Sequence, residues 1–344
     1  MKVGIINVTG YAGMELVRLL ANHPEARLVS VTGRSEAGKK LGQFLPTFHD
    51  VPLTITPELE GSPDMVFSAL PHKASAEACA PLVNKGVRVV DISADFRLKD
   101  PAEYPRWYEF NHPSPQLLEE SVYGLTEIRR QEVASARLVA NPGCYPTGAI
   151  LALAPAVKEG VISGDIIVDS KSGVSGAGRS LSMGTHFSEV NENVFAYSVE
   201  GHRHLPEITQ ELHDINPKLK LNLTFLTHLI PMTRGIFSTC YAPVAEGKLP
   251  SGASGKEKLQ EIYRAYYKDM PFVTVTDVPP QTKQTLGNNM CLVYPTLDER
   301  TNRLMVFSCI DNLVKGAAGQ AIQNMNLMFK LPEDMGLKAI AVYP

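Results

Sequence analysis

The first third of the chain alternates short apolar strands with helical segments, and this alternation constrains the fold more than any other feature. Val3-Gly4-Ile5-Ile6 has no polar side chain, as in a strand buried on both faces of a parallel sheet. A helical pattern over 14–22 follows it. Further strands are predicted at 28–31, 65–70 and 87–92, and a further helix at 74–85. Repeated βα units predict a right-handed, doubly wound α/β sheet, as in a Rossmann domain.

After residue 144 the predicted strands become longer. They lie at 165–171, 219–229, 236–244 and 304–310. The second of them places apolar side chains at every other position, from Leu219 to Phe225, and this period of two indicates a sheet with one covered face. Helices predicted at 205–214, 256–268 and 316–329 would cover that face. The second half is therefore predicted to be an α+β domain with a largely antiparallel or mixed sheet.

A chain of 344 residues is long enough for two domains. We expect an N-terminal Rossmann domain over 1–143, to which a C-terminal helical segment over about 313–344 returns. The domain over 144–312 is expected to hold the catalytic and substrate-binding groups. An exposed face of its sheet would be a natural interface for a homodimer or homotetramer.

Composition excludes several classes of partner. The net charge of −3 gives no electrostatic basis for binding nucleic acid or an anionic membrane, and no apolar run reaches the roughly 18 residues of a membrane span. The five cysteines are scattered, without a CxxC pair or a metal-ligand spacing. Met1-Lys2 leads straight into a strand rather than into a signal peptide. We therefore expect a cytoplasmic protein with no metal, nucleic-acid or membrane partner.

The turn after the first strand carries Gly4, Asn7, Gly10 and Gly13. Small residues let the backbone approach a pyrophosphate, and the N-terminus of the next helix supplies a positive field. Asn7 stands where a dinucleotide fingerprint often has glycine, but asparagine tolerates left-handed backbone conformations better than most residues. The alternative is a glycine-rich turn without a ligand. Its place after the very first strand favours a cofactor.

The end of the second strand distinguishes the two nicotinamide cofactors. NAD sites carry an acidic side chain there for the ribose hydroxyls. This chain instead has Thr32-Gly33-Arg34-Ser35, with Lys39 and Lys40 close by. A guanidinium and a hydroxyl suit a 2′-phosphate, so the sequence favours NADP(H) over the alternative of a solvated basic loop.

Asn141-Pro142-Gly143-Cys144-Tyr145-Pro146-Thr147 places a cysteine where a strand ends and a helix begins. Asn-Pro-Gly forces a tight turn after the apolar Leu138-Val139-Ala140, and Pro146 suits a first helical turn. A thiol at a helix N-terminus has the positive end of the dipole and unpaired N–H groups nearby, and both favour the nucleophilic thiolate. The alternative is a small buried hydrophobic residue.

Gly201-His202-Arg203-His204-Leu205-Pro206-Glu207 concentrates two imidazoles, a guanidinium and a carboxylate at the start of a predicted helix. Glu207, three residues after His204, could hold the second ring nitrogen of that imidazole and fix its tautomer. An imidazole suits proton transfer at a developing oxyanion, and His202 is the second candidate for this task. The alternatives are a helix cap and a metal site, but no second ligand cluster accompanies His-x-His.

Two further segments are candidates for anion binding. Ser172 to Ser180 is rich in glycine and serine and contains Arg179, so its backbone N–H groups could hold an anion, or it could be a surface loop. Arg97 follows the predicted strand over 87–92, and open α/β sheets bind ligands at such strand ends.

Together these motifs resemble those of the N-acetyl-gamma-glutamyl-phosphate reductases of arginine biosynthesis, within the aspartate-semialdehyde dehydrogenase-like superfamily. The resemblance spans nearly the whole chain and rests on the segments Thr9 to Leu16, Asp91 to Arg97, Asn141 to Thr147, Ser175 to Arg179, Phe187 to Asn193 and Gly201 to Glu207. The cysteine motif, the serine-glycine loop and the His-Arg-His motif in this order are specific, whereas the glycine turn is not.

The resemblance implies an activity and a site. Cys144 would attack the acyl phosphate of N-acetyl-L-glutamyl 5-phosphate and expel phosphate, and NADPH would reduce the resulting thioester to N-acetyl-L-glutamate 5-semialdehyde. His204, or His202 in reserve, would be the acid/base, with Glu207 as orienter. The expected cofactor-binding residues are Gly10, Tyr11, Ala12, Gly13, Thr32, Arg34, Ser35, Ser68, Gly176, Asn312 and Gly316. The expected substrate-binding residues are Arg97, Asn141, Ser175 and Arg179.

Other interpretations remain. Aspartate-semialdehyde dehydrogenases and phosphate-dependent glyceraldehyde dehydrogenases resemble Asn-Cys-x-Thr or Ser-Cys-Thr-Thr-Asn-Cys around the nucleophile, whereas here Gly143 precedes Cys144 and Tyr-Pro-Thr follows. A reductase of a carrier-protein-linked glutamyl or aminoadipyl phosphate is the nearer competitor, and Phe187 to Asn193 favours the acetylated substrate. A cysteine hydrolase would have no use for the nucleotide fold. A non-catalytic cofactor sensor would not need Cys144, His204 and Glu207.

Overall fold

The computed structural model describes all 344 residues, which form two compact units. Unit 1 comprises Met1–Gly143 and Ala317–Ala339, and unit 2 comprises Cys144–Gly316 and Ile340–Pro344. The chain first passes from unit 1 to unit 2 between Gly143 and Cys144. None of the helices is long and apolar enough to cross a membrane.

The returning segment starts later than the sequence predicts, at Ala317 rather than near residue 313. Residues 313–316 stay with unit 2 because Asp311 holds them. Its carboxylate accepts the N–H of Leu313 at 2.8 Å, and its carbonyl accepts the N–H of Gly316 at 3.0 Å. The chain end also belongs to unit 2, where the Val342 N–H donates to the Leu286 carbonyl at 3.0 Å.

Unit 1 is built on a seven-stranded sheet in which every strand pairing is parallel. Its strands are β1 (Lys2–Ile6), β2 (Arg27–Thr32), β3 (Ile55–Thr56), β4 (Met65–Ser68), β5 (Arg88–Asp91), β6 (Val122–Tyr123) and β7 (Leu138–Ala140). They are ordered β3-β2-β1-β4-β5-β7-β6, so that the order reverses beside β1, as in dinucleotide-binding sheets. The predicted doubly wound α/β fold is confirmed.

The helices of unit 1 connect these strands and cover the sheet. They are α1 (Tyr11–Leu20), α2 (Leu41–Phe44), α3 (Ser75–Asn84), α4 (Glu103–Tyr108), α5 (Pro115–Glu120), α6 (Thr126–Ser135) and, from the returning segment, α11 (Gly319–Met328). The helix α1 buries its apolar side chains Leu16, Val17, Leu19 and Leu20.

Unit 2 contains a second seven-stranded sheet of mixed direction. Its elements are α7 (Cys144–Lys158), β8 (Asp165–Ser172), α8 (Phe187–Val190), β9 (Phe195–Tyr197), α9 (Leu205–Ile215), β10 (Asn222–Leu229), β11 (Ile236–Pro243), α10 (Ala253–Tyr267), β12 (Val273–Val275), β13 (Cys291–Asp298) and β14 (Arg303–Ile310). The strand order is β12-β13-β14-β11-β8-β10-β9, and only β8 with β10 and β12 with β13 are parallel pairs. The predicted mixed sheet is confirmed.

This sheet has one covered and one uncovered face. Along β8 the side chains of Ile166 and Val168 are fully buried, whereas Ile167 between them is 36% exposed. Helices α7 and α10 pack on the buried side, whereas the helix predicted over 316–329 to cover this face belongs to unit 1 as α11. On the other side lies a half-exposed aromatic row, in which the Phe307 ring is 6.0 Å from Phe237 and 6.2 Å from Tyr294. The period of two in the sequence therefore corresponds to a real difference between the faces.

Candidate active site

Cys144 is the first residue of α7 and follows β7 after a three-residue turn. This is the strand-turn-helix arrangement that the sequence predicts. All five cysteines are free thiols, and only Cys144 is partly exposed. The side chains of Cys79, Cys240, Cys291 and Cys309 are 0% exposed. Burial raises the pKa of the Cys79, Cys240 and Cys309 thiols far above its usual range, so Cys144 is the thiol best placed to react.

Within unit 1, Asn141 and Arg97 fix the turn that leads to Cys144. The Asn141 side chain is fully buried, donates to the Ala317 carbonyl at 3.1 Å and accepts from the Asn324 amide at 3.1 Å. Arg97 donates through Nε to the Asn141 carbonyl and through Nη2 to the Ile92 carbonyl, both at 2.8 Å. The predicted substrate contact of Asn141 does not fit a buried side chain whose two polar atoms are both engaged. Its role here is structural.

Gly316, in unit 2, packs directly on Cys144. A Cβ atom added to Gly316 would stand 2.8 Å from the Cβ of Cys144. The sequence predicts a cofactor contact for Gly316, and the structure gives it a second reason to be glycine. Any side chain there would displace the thiol.

His202 occupies an aromatic enclosure immediately before α9. Its ring centroid is 5.5 Å from Tyr145, 5.7 Å from Tyr197 and 5.4 Å from Phe225, each in an edge-on arrangement. The His202 Nδ1 accepts the backbone N–H of His204 at 3.1 Å. Burial, and secondarily the Arg203 charge, lower the pKa of His202 to about 4. His202 is therefore neutral at pH 7, with its proton on Nε2.

His204 lies at the N-cap of α9, with its ring 4.7 Å from that of His202 and 5.9 Å from that of Tyr145. Glu207 is in the first turn of the same helix and its side chain is fully buried. The residue next to Cys144 thus contacts both imidazoles. Unit 2 brings together the two motifs that the sequence singles out, 58 residues apart from Cys144 to His202.

The serine-glycine loop is fastened to a neighbouring loop of unit 2. Asn312 donates to the Ser175 hydroxyl at 2.9 Å and accepts the Gly235 N–H at 2.8 Å. The Ser175 N–H donates to the Thr233 carbonyl at 3.1 Å. Gly176 and Arg179 beyond it are exposed. Asn312 and Ser175, two predicted site residues far apart in the sequence, are therefore directly hydrogen-bonded.

The first βα turn of unit 1 is tightly packed around Asn7 and Gly13. Asn7 adopts a left-handed conformation with φ of 65°, which asparagine tolerates, and its side chain donates to the Ala69 carbonyl at 2.8 Å. A Cβ added to Gly13 would lie 2.4 Å from the Asn7 carbonyl oxygen, so only glycine fits there. Gly10 caps α1 without a side-chain hydrogen bond. Tyr11 and Ala12 are the first two residues of α1, so their backbone N–H groups have no carbonyl acceptor within the helix.

Side chains near the end of β2 divide into engaged and available groups. Arg34 and Ser35 are exposed, and no hydrogen bond or ion pair holds the Arg34 guanidinium. Lys39 instead pairs with Glu36 at 2.6 Å. Thr32 is buried and its hydroxyl accepts the Asn7 N–H at 3.2 Å. Thr32 thus shapes the turn, and a cofactor contact through its side chain does not fit.

Ser68, the last residue of β4, is also fully buried. Its hydroxyl pairs with that of Ser75 at 2.7 Å, and Ser75 donates to Asp91 at 2.5 Å. The predicted cofactor contact of the Ser68 side chain does not fit this position, because the hydroxyl is enclosed in a network that ties β4 to α3 and β5. No three His, Cys, Asp or Glu side chains converge as metal ligands would.

Several residues of the site escape the sequence argument. Tyr197, Phe225 and Asp311 belong to no motif, and Asp311 lies 3.5 Å from the Arg234 guanidinium while accepting the Gly287 N–H at 2.7 Å. Tyr145 stands in the cysteine motif, and a bulky aromatic directly after a nucleophile was the one available signal.

Two family models match the chain. The model described as semialdehyde dehydrogenase, NAD binding domain, matches residues 2–136. The model described as semialdehyde dehydrogenase, dimerisation domain, matches residues 144–312.

Curated relatives match over their full length. A protein of Dehalococcoides mccartyi named N-acetyl-gamma-glutamyl-phosphate reductase is 57% identical over 343 residues, covering 100% of this chain and 99% of the relative. Proteins of the same name from Pelotomaculum thermopropionicum and Halothermothrix orenii are 50% and 47% identical over 352 residues. These alignments cover 100% of this chain and 99% and 100% of the two relatives.

Solved structures show the same fold at low sequence identity. Aspartate semialdehyde dehydrogenase II from Vibrio cholerae, complexed with ASA, superposes with a TM-score of 0.69 at 15% identity, covering 96% of this chain and 98% of that chain. Aspartate semialdehyde dehydrogenase with NADP from Candida albicans gives 0.65 at 17% identity, covering 97% and 99%. At these identities the likeness confirms the two-sheet architecture.

Proposed function

We infer the reaction from the premise that this chain belongs to the family of N-acetyl-gamma-glutamyl-phosphate reductases. It is an oxidoreductase with a nicotinamide cofactor, and its reaction is the reduction of N-acetyl-L-glutamyl 5-phosphate to N-acetyl-L-glutamate 5-semialdehyde and phosphate in arginine biosynthesis. The observation that carries the chemistry is the contact of Tyr145, next to Cys144, with both imidazoles of the His-Arg-His motif. It supports a nucleophile and a proton carrier in one site.

The Cys144 thiolate is proposed to attack the acyl carbon of the substrate. A C–S bond forms, the C–O bond to the phosphoryl group breaks, and inorganic phosphate leaves with the electron pair. The product of this step is a thioester on Cys144. The position at the start of α7 favours the thiolate, and a thiolate both attacks well and leaves well after the reduction.

His204 is proposed to hold and move the proton at the carbonyl oxygen as the aldehyde forms. His202 and His204 differ in their surroundings and therefore in their suitability for proton transfer. His202 has its Nδ1 occupied by a backbone N–H and a pKa of about 4, so it is a poor proton donor at neutral pH. His204 is the N-cap of α9, and Glu207 is in the first turn of that helix. We propose Glu207 as the group that orients the His204 ring.

NADPH, when bound, supplies the hydride. We propose that the first turn of α1, at Gly10, Tyr11, Ala12 and Gly13, binds its pyrophosphate. Arg34 and Ser35 are proposed to bind the 2′-phosphate, because Arg34 is exposed without an ion pair and the one acidic residue of this turn, Glu36, is paired with Lys39. Gly176, Asn312 and Gly316 are proposed as further cofactor contacts.

The substrate carries a phosphoryl group and a carboxylate, and three residues are proposed to bind them. Arg97 carries a guanidinium just beyond the end of β5, where open α/β sheets bind ligands. Ser175 is held in place by Asn312, and Arg179 lies at the exposed end of the same loop. Their cationic and hydroxyl groups suit anionic oxygens.

We further propose a homodimer or homotetramer that associates through the uncovered face of the unit 2 sheet. The half-exposed row of Phe237, Phe307 and Tyr294 supports it, since a monomer rarely leaves such a face to water. Light scattering of the wild type and of Phe307→Glu tests the interface, with a lower mass expected for the variant.

The five free thiols fit a reducing compartment, and we propose the cytoplasm.

The reverse reaction tests the proposed function. Reduction of NADP⁺ is measured with N-acetyl-L-glutamate 5-semialdehyde in the presence and absence of phosphate, and with aspartate semialdehyde as the competing substrate. Phosphate-dependent activity with the first substrate alone is expected. Activity with aspartate semialdehyde alone would assign the chain to the sister activity. Activity with neither would direct the test to a carrier-protein-linked substrate.

A further inference from the structure

A pair of tyrosine hydroxyls joins the nucleophile helix to the strand that precedes the histidines. The Tyr145 and Tyr197 hydroxyl oxygens are 2.7 Å apart. Tyr145 belongs to the first turn of α7, directly after Cys144, and Tyr197 is the last residue of β9. The Tyr197 carbonyl accepts the Thr227 hydroxyl of β10 at 2.8 Å. Tyr197 is therefore fixed to the sheet, and its hydroxyl is bonded to that of Tyr145, the residue beside the Cys144 thiol.

The rings of the same two tyrosines enclose the imidazoles. Tyr145 presents its ring to His202 at 5.5 Å, to His204 at 5.9 Å and to Phe225 at 5.7 Å. Tyr197 contacts His202 from a second side at 5.7 Å. Since His202 accepts the backbone N–H of His204, the enclosure also fixes the backbone from which the His204 ring projects. A tilt of the Tyr145 ring would move both imidazoles relative to Cys144.

Both hydroxyls are neutral hydrogen-bonding groups and not bases. Burial raises the pKa of Tyr145 above its usual range and that of Tyr197 to about 12, and a negative charge on Cys144 adds to both effects. Tyr145 and Tyr197 consequently keep their protons through any practical assay. Their hydrogen bond persists over the whole pH range in which a thiolate forms.

We propose that the Tyr145–Tyr197 hydroxyl pair is a positioning device that holds the imidazoles of the His-Arg-His motif at the Cys144 end of α7. The inference rests on the proposed function, because it takes Cys144 as the nucleophile and His204 as the proton carrier. The two tyrosines are positioning residues. They act through the imidazoles and leave the bond changes to Cys144 and His204.

The reactivity of the thiol tests the pair without the reductase assay. Cys144 is alkylated with iodoacetamide across a pH series, and the other four thiols, at 0% exposure, stay protected in the folded chain. In Tyr145→Phe and in Tyr197→Phe we expect the pH midpoint of alkylation to rise by similar amounts, because the His204 ring, the proposed proton carrier, is no longer held at the Cys144 end of α7 to accept the thiol proton. The double variant should shift no further, since all three lack the same hydrogen bond.

Tyr263→Phe is the matched control. Tyr263 is a buried tyrosine of unit 2 whose hydroxyl donates to the Ala152 carbonyl at 2.7 Å, with no contact to the histidines. This variant should lower the melting temperature and leave the alkylation midpoint unchanged. If the alkylation midpoints of Tyr145→Phe and Tyr197→Phe both equal that of Tyr263→Phe, the proposal is overturned. Should one tyrosine variant fail to fold, the other removes the same bond.

Steady-state kinetics adds a second readout. Both single variants should lose about tenfold in kcat while the KM for NADPH stays within about twofold of wild type, as a misplaced catalytic group predicts. The two failures are distinguishable. If the wild type has no reductase activity but the two variants still shift the alkylation midpoint, the proposed reaction is refuted and the role of the hydroxyl pair is supported. If the wild type is active and both variants keep its kcat and its alkylation midpoint, only the role of the hydroxyl pair is refuted.

Discussion

Gly316 lies directly against Cys144, because a Cβ atom added to Gly316 would stand 2.8 Å from the Cβ and 3.2 Å from the Cα of Cys144. Gly316→Ala should therefore push the thiol from its place. We expect kcat to fall about a hundredfold, since small misplacements of reacting groups are costly, and stability to fall by about 1–3 kcal/mol from overpacking. Gly184→Ala, where no atom lies within 4 Å of the added Cβ, is the control and should be neutral. Equal kcat in both variants would contradict the contact.

Arg34 is predicted to select the phosphorylated cofactor. Arg34→Ala should weaken NADPH binding about 10- to 100-fold through loss of a charge-assisted hydrogen bond, and leave NADH binding nearly unchanged. Fluorescence titration with each cofactor measures both constants. Lys39→Ala removes a neighbouring positive charge that is already paired with Glu36, so it should have little effect. An equal loss for NADPH and NADH would remove Arg34 from the 2′-phosphate site.

Asn7 tests how the first turn replaces a glycine. Its φ is 65°, so Asn7→Gly should keep the turn and bind NADPH almost as wild type does. Asn7→Ala loses the same side-chain bond to the Ala69 carbonyl as Asn7→Gly does, and should cost about 1–2 kcal/mol more because of the left-handed backbone. Thermal unfolding of the two variants gives the comparison. If alanine proves as stable as glycine here, the backbone argument fails.

Acid is predicted to destabilise the fold through buried neutral histidines. Burial lowers the pKa of His23, His112 and His202 below the unfolded value of 6.5, so the unfolded chain takes up protons first as the pH falls. The stabilisation from these histidines is complete above pH 6.5 and is lost as the pH falls through the folded-state values. Asp91, whose pKa burial raises to about 6, opposes this trend in the acid range.

The share of one histidine can be isolated. The His23 Nδ1 accepts the N–H groups of Glu25 at 3.2 Å and Ala26 at 3.0 Å, so a proton there would face two donors. In His23→Gln the free energy of unfolding in urea should vary less between pH 5 and pH 7 than in wild type. Wild type and variant curves that run parallel would show that His23 does not contribute.

Sequence pattern predicted what depends on local chemistry. The βα alternation determined the parallel sheet, and the turn before Cys144 follows from Asn-Pro-Gly between a strand and an apolar helix. The sequence allows a left-handed conformation at Asn7, because asparagine tolerates it better than most residues, and the structure has one there. Each of these outcomes rests on residues close together in the chain.

What the sequence could not predict depends on which way a polar side chain points. Thr32, Ser68 and Asn141 stand at strand ends where ligands bind, yet all three point inward and satisfy their neighbours. The aromatic enclosure of His202 draws Tyr145, Tyr197 and Phe225 from three separate elements, and no local pattern joins them. Such contacts become visible only when the strands of unit 2 are paired.

The central claim is that Cys144 carries the substrate as a thioester. Enzyme mixed with N-acetyl-L-glutamyl 5-phosphate without NADPH should release one phosphate per site in a burst and gain an N-acetylglutamyl group on the peptide that contains Cys144. Cys144→Ser should show neither, and should still bind NADPH. A burst with the modification on another residue, or steady turnover by Cys144→Ser, would contradict the account.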